Sequence, residues 1–342
     1  MSIRYLLLAE GFSADPHYGK TALGVLRYRR DDVVAILDSL RAGETDDGVP
    51  VVGTVADALP FAPTTALVGV ATQGGRFPPA WIEILKQCIA NGIDVENGLH
   101  VFLDDDPELR ALADQHGVEL RDLRRPPSDL STATGENLEV PGTIVLTVGS
   151  DCAIGKMTVA LELDLEARRR GERSLFVPTG QTGIAIAGWG IAVDAVVADF
   201  IAGAAERLVV EGSARGGELL WIEGQGAILH PVYSGVTVGL YHGSAPHLLV
   251  LCHEAGHTEI EGAGGGPHPI PPLRELVELH ERLALPVRPA RVAAIAVNTR
   301  GLDEEGARDA IAAAEADTGL PADDPVRFGA GRLVDAVLRA RG

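Results

Sequence analysis

Lysine is nearly missing from this chain. Only Lys20, Lys86 and Lys156 occur among the 29 basic residues of a 342-residue sequence. Lys20 and Lys156 each follow a glycine between a strand-like and a helix-like stretch, so the scarcity puts weight on both. Cysteine is equally sparse: Cys88, Cys152 and Cys252 stand far apart and form no CxxC pair. That excludes a Cys-based zinc site and fits a reduced intracellular chain. No apolar run reaches the length of a membrane span, and the stretch up to Glu10 is too short for a signal peptide. A soluble, cytoplasmic protein without a membrane partner is expected. Positive charge is in deficit too. A formal net charge of −19, spread along the chain, argues against nonspecific binding to nucleic acid. What is present is apolar: 46% of residues and a positive mean hydropathy exclude disorder, and the length suffices for two domains with proper cores.

The chain is organised around the stretch Gly149–Thr158. Thr143–Val148 ahead of it is a β-branched apolar run of the kind a buried strand needs, and Met157–Arg170 behind it has helical character. Strand, glycine-bounded loop, lysine and helix make a phosphate-binding loop, in which backbone N–H groups and a helix N-terminus face an anion. Candidate cofactor-binding residues are therefore Gly149, Asp151, Ala153, Ile154, Gly155, Lys156, Met157 and Thr158. The spacing departs from G-x-x-x-x-G-K-[ST], because Ser150 takes the first glycine position and Gly149 lies one residue earlier. Met157 stands where the Mg²⁺-binding hydroxyl would follow the lysine. Thr158 comes one residue late, turned by about 100° around the helix. Diphosphate binding is the stronger implication and phosphoryl transfer the weaker.

Upstream, strands are expected over 3–9, Val33–Leu37, the start of Pro50–Leu59, Ala66–Ala71 and Ile93–Val95, with helices up to Tyr28 and over 79–91. Alternation of this kind gives right-handed βαβ units and a parallel sheet. Asp38 closes the second strand as in dinucleotide-binding folds, yet no G-x-G-x-x-G follows the first strand, which disfavours NAD. Gly19-Lys20-Thr21 is either a second anion site or a capped helix start. The polar, proline-bearing stretch from Arg125 reads as a linker over 125–138 between domains at 1–124 and 139–342. The fold class is α/β with two parallel-sheet domains.

In the second domain, strand Ser174–Val177 leads to Thr179–Gly183, whose small polar residues suit a loop over a ligand, with Gln181 and Thr182 as substrate-binding candidates. Asp194–Val210 is expected to be helical. Strand Glu218–Ile222 ends at Glu223, a carboxylate placed for catalysis or for a metal-bound water. Strand His247–Cys252 ends at His253 and Glu254, two further catalytic candidates. His253-Glu-Ala-Gly-His257 formally matches the zincin H-E-x-x-H pattern, but that pattern needs a helix, and Gly256 opposes one. No metal ligand set is assigned. After strand Arg291–Val297, Asn298 is placed to contact a nucleotide base, and Arg300 an acidic substrate or a phosphate.

These motifs together resemble one family over nearly the full chain. They are Gly149–Thr158, Thr179–Gly183, Asp194–Glu206, Glu223–Gly226 with His230–Gly235, Asn298–Leu302 and Gly19–Arg27. The family was long catalogued as a domain of unknown function and is now associated with D-glutamate N-acetyltransferases. The resemblance implies a Rossmann-like first domain, a P-loop NTPase-like second domain, and acetyl transfer from acetyl-CoA to the amino group of D-glutamate. The small-molecule substrate is then acidic and needs cationic partners, with Arg300 and Arg27 as the alternatives. The C-terminal half is also similar to dethiobiotin synthetase. That likeness implies the competing reading, an Mg-ATP-dependent ligase or kinase with Glu223 serving the metal. A nucleotide-gated binding protein is the non-enzymatic option. By analogy with other paired P-loop domains, a homo-oligomer is expected.

Overall fold

The computed structural model of the chain describes residues 3–71, 81–262 and 264–342. The chain divides into two compact units: Met1–Arg125 with Gln181–Ala195, and Pro126–Gly180 with Val196–Gly342. The linker stretch beyond Arg125 thus groups with the second unit, and a short segment from the middle of the expected second domain groups with the first.

The first unit is built from β1 (Tyr5–Leu8), α1 (Lys20–Tyr28), β2 (Val33–Leu37), β3 (Thr45–Asp46), β4 (Val49–Val52), α2 (Val55–Ala58), β5 (Thr65–Val68), α3 (Trp81–Ala90), β6 (Asp94–Asn97), α4 (Pro107–His116) and β7 (Leu120–Asp122). Its seven strands run in the order β3-β4-β2-β1-β5-β6-β7, all parallel except for β3 against β4. Without the edge strand β3 this is the order of a dinucleotide-binding fold. β1 and β5 are buried at every position, as strands covered on both faces must be, which is why they read as unbroken apolar runs. The Thr72–Gly75 turn and the first two residues of the helix expected over 79–91 lie outside the described residues. Trp81, Leu85 and Ile89 of α3 are buried, with Cys88 beside them. The sequence reading passed over α4, although its ends are marked. The Asp106 side chain accepts from the Glu108 and Leu109 N–H groups, Pro107 opens the helix, and Gly117 closes it at φ 66°.

Asp38 is where the pattern predicts it, but its carboxylate is already occupied. It accepts from Gly11 N–H (3.1 Å), Ser13 N–H (3.1 Å), the Ser13 hydroxyl (2.5 Å) and Leu40 N–H (3.1 Å). Burial alone would raise its pKa, yet these hydrogen bonds outweigh burial and hold the carboxyl below its usual range. The group that reaches a ribose in dinucleotide folds here fixes the loop after β1.

The second unit contains β8 (Thr143–Gly149), α5 (Lys156–Arg169) and β9 (Ser174–Val177). The chain then contributes α6 (Gln181–Ala187) to the first unit. It continues in the second with α7 (Ile201–Ala214), β10 (Leu219–Ile222), α8 (Ser234–Ser244), β11 (Leu248–Glu254), α9 (Leu273–Leu283), β12 (Arg291–Asn298), α10 (Glu304–Thr318), β13 (Ala322–Asp323) and α11 (Gly331–Arg341). The six strands are parallel in the order β13-β12-β11-β8-β10-β9. β8 therefore lies between β10 and β11, where successive connections leave in opposite directions and ligands of open α/β sheets bind.

Two expectations are corrected here. Thr179–Gly183 is not a loop throughout: Gln181 opens α6, whose Ile184 and Ala185 join the buried cluster of Tyr5, Leu7, Val25, Ile36 and Leu67. That burial, rather than helix propensity, makes the segment helical. The helix expected over Asp194–Val210 starts only at Ile201, because Val197 is extended (ψ 138°) and divides a 3₁₀ turn at Val193–Ala195 from a second one, Ala198–Phe200, that leads into α7. Among the described residues no helix is long and apolar enough to cross a membrane.

One buried histidine gives the fold a pH signature. His280 in α9 donates through Nδ1 to the Leu276 carbonyl (2.7 Å), while its Nε2 is buried with no partner among the described residues. Burial lowers its pKa from 6.5 to about 4. Between those values the unfolded chain takes up a proton that the folded chain refuses, so stability falls as pH drops through the window. The total loss is about 3 kcal/mol. Denaturant titrations of wild type and His280→Leu at pH 7 and pH 4.5 should show a shallower pH dependence in the variant. Equal slopes would remove His280 as the cause.

Candidate active site

β8 is buried along its whole length and delivers the chain to the loop at its carboxyl end. The loop is pinned from the neighbouring strand, where Ser150 N–H donates to the Cys252 carbonyl of β11 (3.0 Å). Gly155 precedes α5 at φ 108°, a left-handed conformation that a side chain resists. Ala153 adopts φ 56° without being glycine, a locally strained backbone of the sort found at functional sites. The N–H groups that open α5 have no partner within the helix and carry its positive dipole end. Lys156 is 6% exposed and extends back across the loop, where Nζ donates to the Asp151 carbonyl (2.7 Å). Burial lowers its pKa against the opposing pull of Cys152, Cys252, Asp151 and Glu223. The loop thus joins the N-terminus of α5 to one buried amine, a combination whose chemistry favours an anion.

Asp151 does not face that cradle with its carboxylate. Oδ1 takes the Cys152 N–H (2.6 Å), and Oδ2 is held by His257 Nε2 (2.8 Å) and Glu261 N–H (2.8 Å). It fastens the loop to the segment that follows β11. The structure also gathers Asp151, Cys152 and His230, with one ligand atom from each within 4.8 Å of the others. His230 accepts from Val232 N–H at Nδ1 (3.1 Å), which leaves its Nε2 to donate to the Glu261 carbonyl (3.0 Å). Both imidazole nitrogens are engaged, and so is the carboxylate, so the set as folded is a hydrogen-bonded brace.

The other candidates gather around the loop on neighbouring strands. Glu223, just past β10, is 4% exposed. Its Oε2 accepts from the Thr179 N–H (2.9 Å) and Gly180 N–H (3.1 Å), and its Oε1 from Gln225 Nε2 (3.1 Å). It holds the chain that leaves β9. Gly224 next to it leaves no room for a side chain: a Cβ there would lie 1.8 Å from the Thr147 carbonyl oxygen and 3.0 Å from Lys156 Cδ. β11 is longer than expected, so His253 and Glu254 are its last two residues rather than the turn after it. No helix carries the H-E-x-x-H residues. His253 Nδ1 shares a 2.9 Å hydrogen bond with the Ser150 hydroxyl, whereas His257 follows a turn and meets Asp151. Burial, with a smaller contribution from His257, lowers the His253 pKa and favours the neutral imidazole.

Asn298 ends β12, and its carboxamide is already engaged within this unit. It donates to the Ile154 carbonyl (3.3 Å), lies 3.5 Å from Glu254 Oε2, and accepts from the Arg300 N–H (3.1 Å). The Arg300 guanidinium is exposed and makes no hydrogen bond or ion pair among the described residues. Met157 and Thr158 are half-buried in the first turn of α5. Gln181 and Thr182 belong to the first unit. Sequence reasoning missed the bracing residues His257, Glu261 and Gln225. His257 and Glu261 act on Asp151 from a distant stretch of chain, while Gln225 acts on Glu223 two residues away, and no spacing rule marks these bracing roles.

Comparison with known proteins agrees with this architecture. The domain of unknown function (DUF1611_N) Rossmann-like domain matches residues 38–126, and the domain of unknown function (DUF1611_C) P-loop domain matches residues 131–334. A protein of Tritonibacter scottomollicae named D-glutamate N-acetyltransferase is 40% identical over 332 residues, covering 97% of each chain. The chain belongs to the DUF1611 family. A second D-glutamate N-acetyltransferase, from Pseudoalteromonas sp, is 35% identical and covers 82% of this chain and 83% of its own. The crystal structure of a DUF1611 family protein from Anabaena variabilis is 42% identical, with a TM-score of 0.91 over 98% of this chain and 99% of that one. The family's Rossmann-like and P-loop domains correspond to the two sheets described above, and Gly149–Lys156 lies within the matched P-loop domain.

Proposed function

We propose that the protein is an N-acetyltransferase that moves an acetyl group from acetyl-CoA to the amino group of an acidic amino acid, D-glutamate. The observation that carries this reading is the buried Lys156 at the start of α5, with methionine, not a hydroxyl, at the position that would bind a metal. The CoA diphosphate needs backbone N–H groups and a cation, whereas γ-phosphate transfer needs a positioned Mg²⁺ as well. The names of the two relatives support the reaction class and the acceptor.

In this reading His253 is the proton acceptor. A substrate ammonium cannot attack a thioester until it loses a proton. A buried histidine with a lowered pKa is neutral at pH 7, and its partner Ser150 fixes the ring. The freed amine attacks the thioester carbonyl carbon, the tetrahedral adduct collapses, and the C–S bond breaks. CoA leaves as the thiolate and takes up a proton, and the amide nitrogen loses its second. Glu223, held by two backbone N–H groups, positions the chain after β9 rather than exchanging protons.

Purified protein with acetyl-CoA and D-glutamate should release one CoA thiol per N-acetyl-D-glutamate, unaffected by EDTA. His253→Gln should lower kcat by about 10²- to 10⁴-fold with little change in acetyl-CoA affinity. Because the His253 pKa lies below 6.5, wild-type kcat should stay level as pH falls to that value and drop only at lower pH. A variant with wild-type kcat would transfer the base role elsewhere.

A further inference from the structure

The corner that follows β12 is fixed at almost every position. Asn298, the last residue of β12, accepts the Arg300 N–H at Oδ1 (3.1 Å), and its amide donates to the Ile154 carbonyl of the phosphate loop (3.3 Å). Thr299 is fully buried, and Asp324 Oδ2 holds both its N–H (3.0 Å) and its hydroxyl (2.5 Å). Gly301 carries the chain round at φ 84°. Arg327 closes the turn by donating to the carbonyls of Leu302 (2.7 Å) and Asp303 (2.8 Å). The backbone of Arg300 is therefore held in place through a residue that touches the phosphate loop. Every residue of this corner, like the loop itself, belongs to the second unit.

The Arg300 side chain is the exception. It is exposed and has no hydrogen bond or ion pair among the described residues, in a chain where acids outnumber bases by 48 to 29. The acids at this corner are turned elsewhere. Asp324 serves Thr299 and, through Oδ1, the N–H groups of Val326 (2.9 Å) and Arg327 (3.0 Å). Asp303 caps α10 through the Gly306 N–H (2.8 Å), and Glu254 lies 3.5 Å from the Asn298 amide. A guanidinium left this way on a braced turn beside an anion site is set for a second anion, and its planar fork matches phosphate. The same corner leaves apolar surface open at Leu302 (37% exposed) and Val326 (46%). Arg327 ties the two together, since it follows Val326 in the chain and binds the Leu302 carbonyl. A cation beside apolar surface suits a phosphate carried on a nucleoside better than a small free anion.

We propose that Arg300 binds the 3′-phosphate of CoA, with Leu302 and Val326 against the adenosine that carries it. The proposal rests on the acetyl-transfer reading for the identity of the ligand. In CoA the diphosphate and the 3′-phosphate hang from one ribose, on its 5′ and 3′ oxygens. A molecule whose diphosphate lies on the loop therefore brings its second anion to a neighbouring corner. ATP has no phosphate at that position. Arg300 is thus a specificity residue that favours CoA over a nucleoside triphosphate, and recognition of the amino acid's carboxylates falls to other groups.

The test is calorimetric titration of the full-length protein with acetyl-CoA and with 3′-dephospho-acetyl-CoA. Wild type should bind acetyl-CoA about ten- to a hundred-fold more tightly, the value of charge-assisted hydrogen bonds to one phosphate. Arg300→Gln should weaken acetyl-CoA to the level of the dephospho form and leave the dephospho form unchanged. Arg300→Lys, which keeps the charge and loses the fork, should fall between. The KM for D-glutamate at saturating acetyl-CoA should not move in either variant. Equal wild-type affinity for the two forms would overturn the proposal and leave the acetyl-transfer reading standing, as would an Arg300→Gln variant that still prefers acetyl-CoA. A raised D-glutamate KM with acetyl-CoA affinity intact would also overturn it and give Arg300 to the acidic substrate. Binding of neither form by wild type would instead sink the acetyl-transfer reading, and this assignment with it.

Discussion

Lys156→Met should abolish detectable acetyl-CoA binding, a loss of at least about a hundred-fold, while leaving the protein folded. Lys156 is the one full positive charge in the loop, and it is buried, so its field is poorly screened by solvent. A charge-assisted contact to phosphate of this kind contributes about 1.5–3 kcal/mol, and the low dielectric of the loop raises its share. Stability should change little or rise. The amine is desolvated, as its lowered pKa shows, and its hydrogen bond is to the Asp151 carbonyl. Methionine keeps the aliphatic stem that packs near Gly224 and discards a buried charge that has no ion-pair partner among the described residues. Calorimetry and a thermal melt on the same sample separate the two effects. An unfolded variant would show Lys156 to be structural, and undiminished acetyl-CoA binding would remove the loop as the donor site.

Gly224→Ala should cost about 3 kcal/mol or more, because the added methyl meets main chain and not a side chain that can turn away. The Thr147 carbonyl oxygen would lie 1.8 Å from the new Cβ, and the Gly224 N–H simultaneously donates to the Thr147 hydroxyl (2.9 Å). β8 and β10 are paired in this region through Leu146 and Ile222, so relief requires parting two central strands just below the phosphate loop. The melting temperature should fall by about 6–12 °C for a unit of this size. Gly235→Ala is the matched control. It lies in α8 with no atom within 4 Å of the added methyl, and it should be neutral or slightly stabilising. Equal melting of the two variants would contradict the close approach.

Much of the scaffold was legible because the strands are buried on both faces. β1, β2, β8 and β12 announce themselves as apolar runs, and residues at the carboxyl ends of such strands are candidates by topology alone. Glu223, His253 and Asn298 are candidates on that ground, and Lys156 through its place in the glycine-bounded loop. The helices were harder. α8 carries glycines at 235, 239 and 243, which lower its helix propensity, yet its fold follows from its neighbour. An added Cβ at Gly243 would lie 2.2 Å from the Ala202 carbonyl oxygen, so the small residues let α7 and α8 approach closely. α6 is helical because its apolar side joins a core from the other end of the sequence. Such elements follow tertiary packing rather than local propensity. The bracing of Asp151 by His257 and Glu261 is a product of three-dimensional contact and leaves no mark in spacing.

The most direct test of the account is a calorimetric titration of the purified protein with acetyl-CoA and, separately, with Mg·ATP. Saturable acetyl-CoA binding that survives EDTA, with no heat from Mg·ATP, is the result predicted by the proposed metal-independent diphosphate site at Lys156. Metal-dependent ATP binding with no response to acetyl-CoA would contradict it and make the loop that of a nucleotide-dependent ligase or kinase.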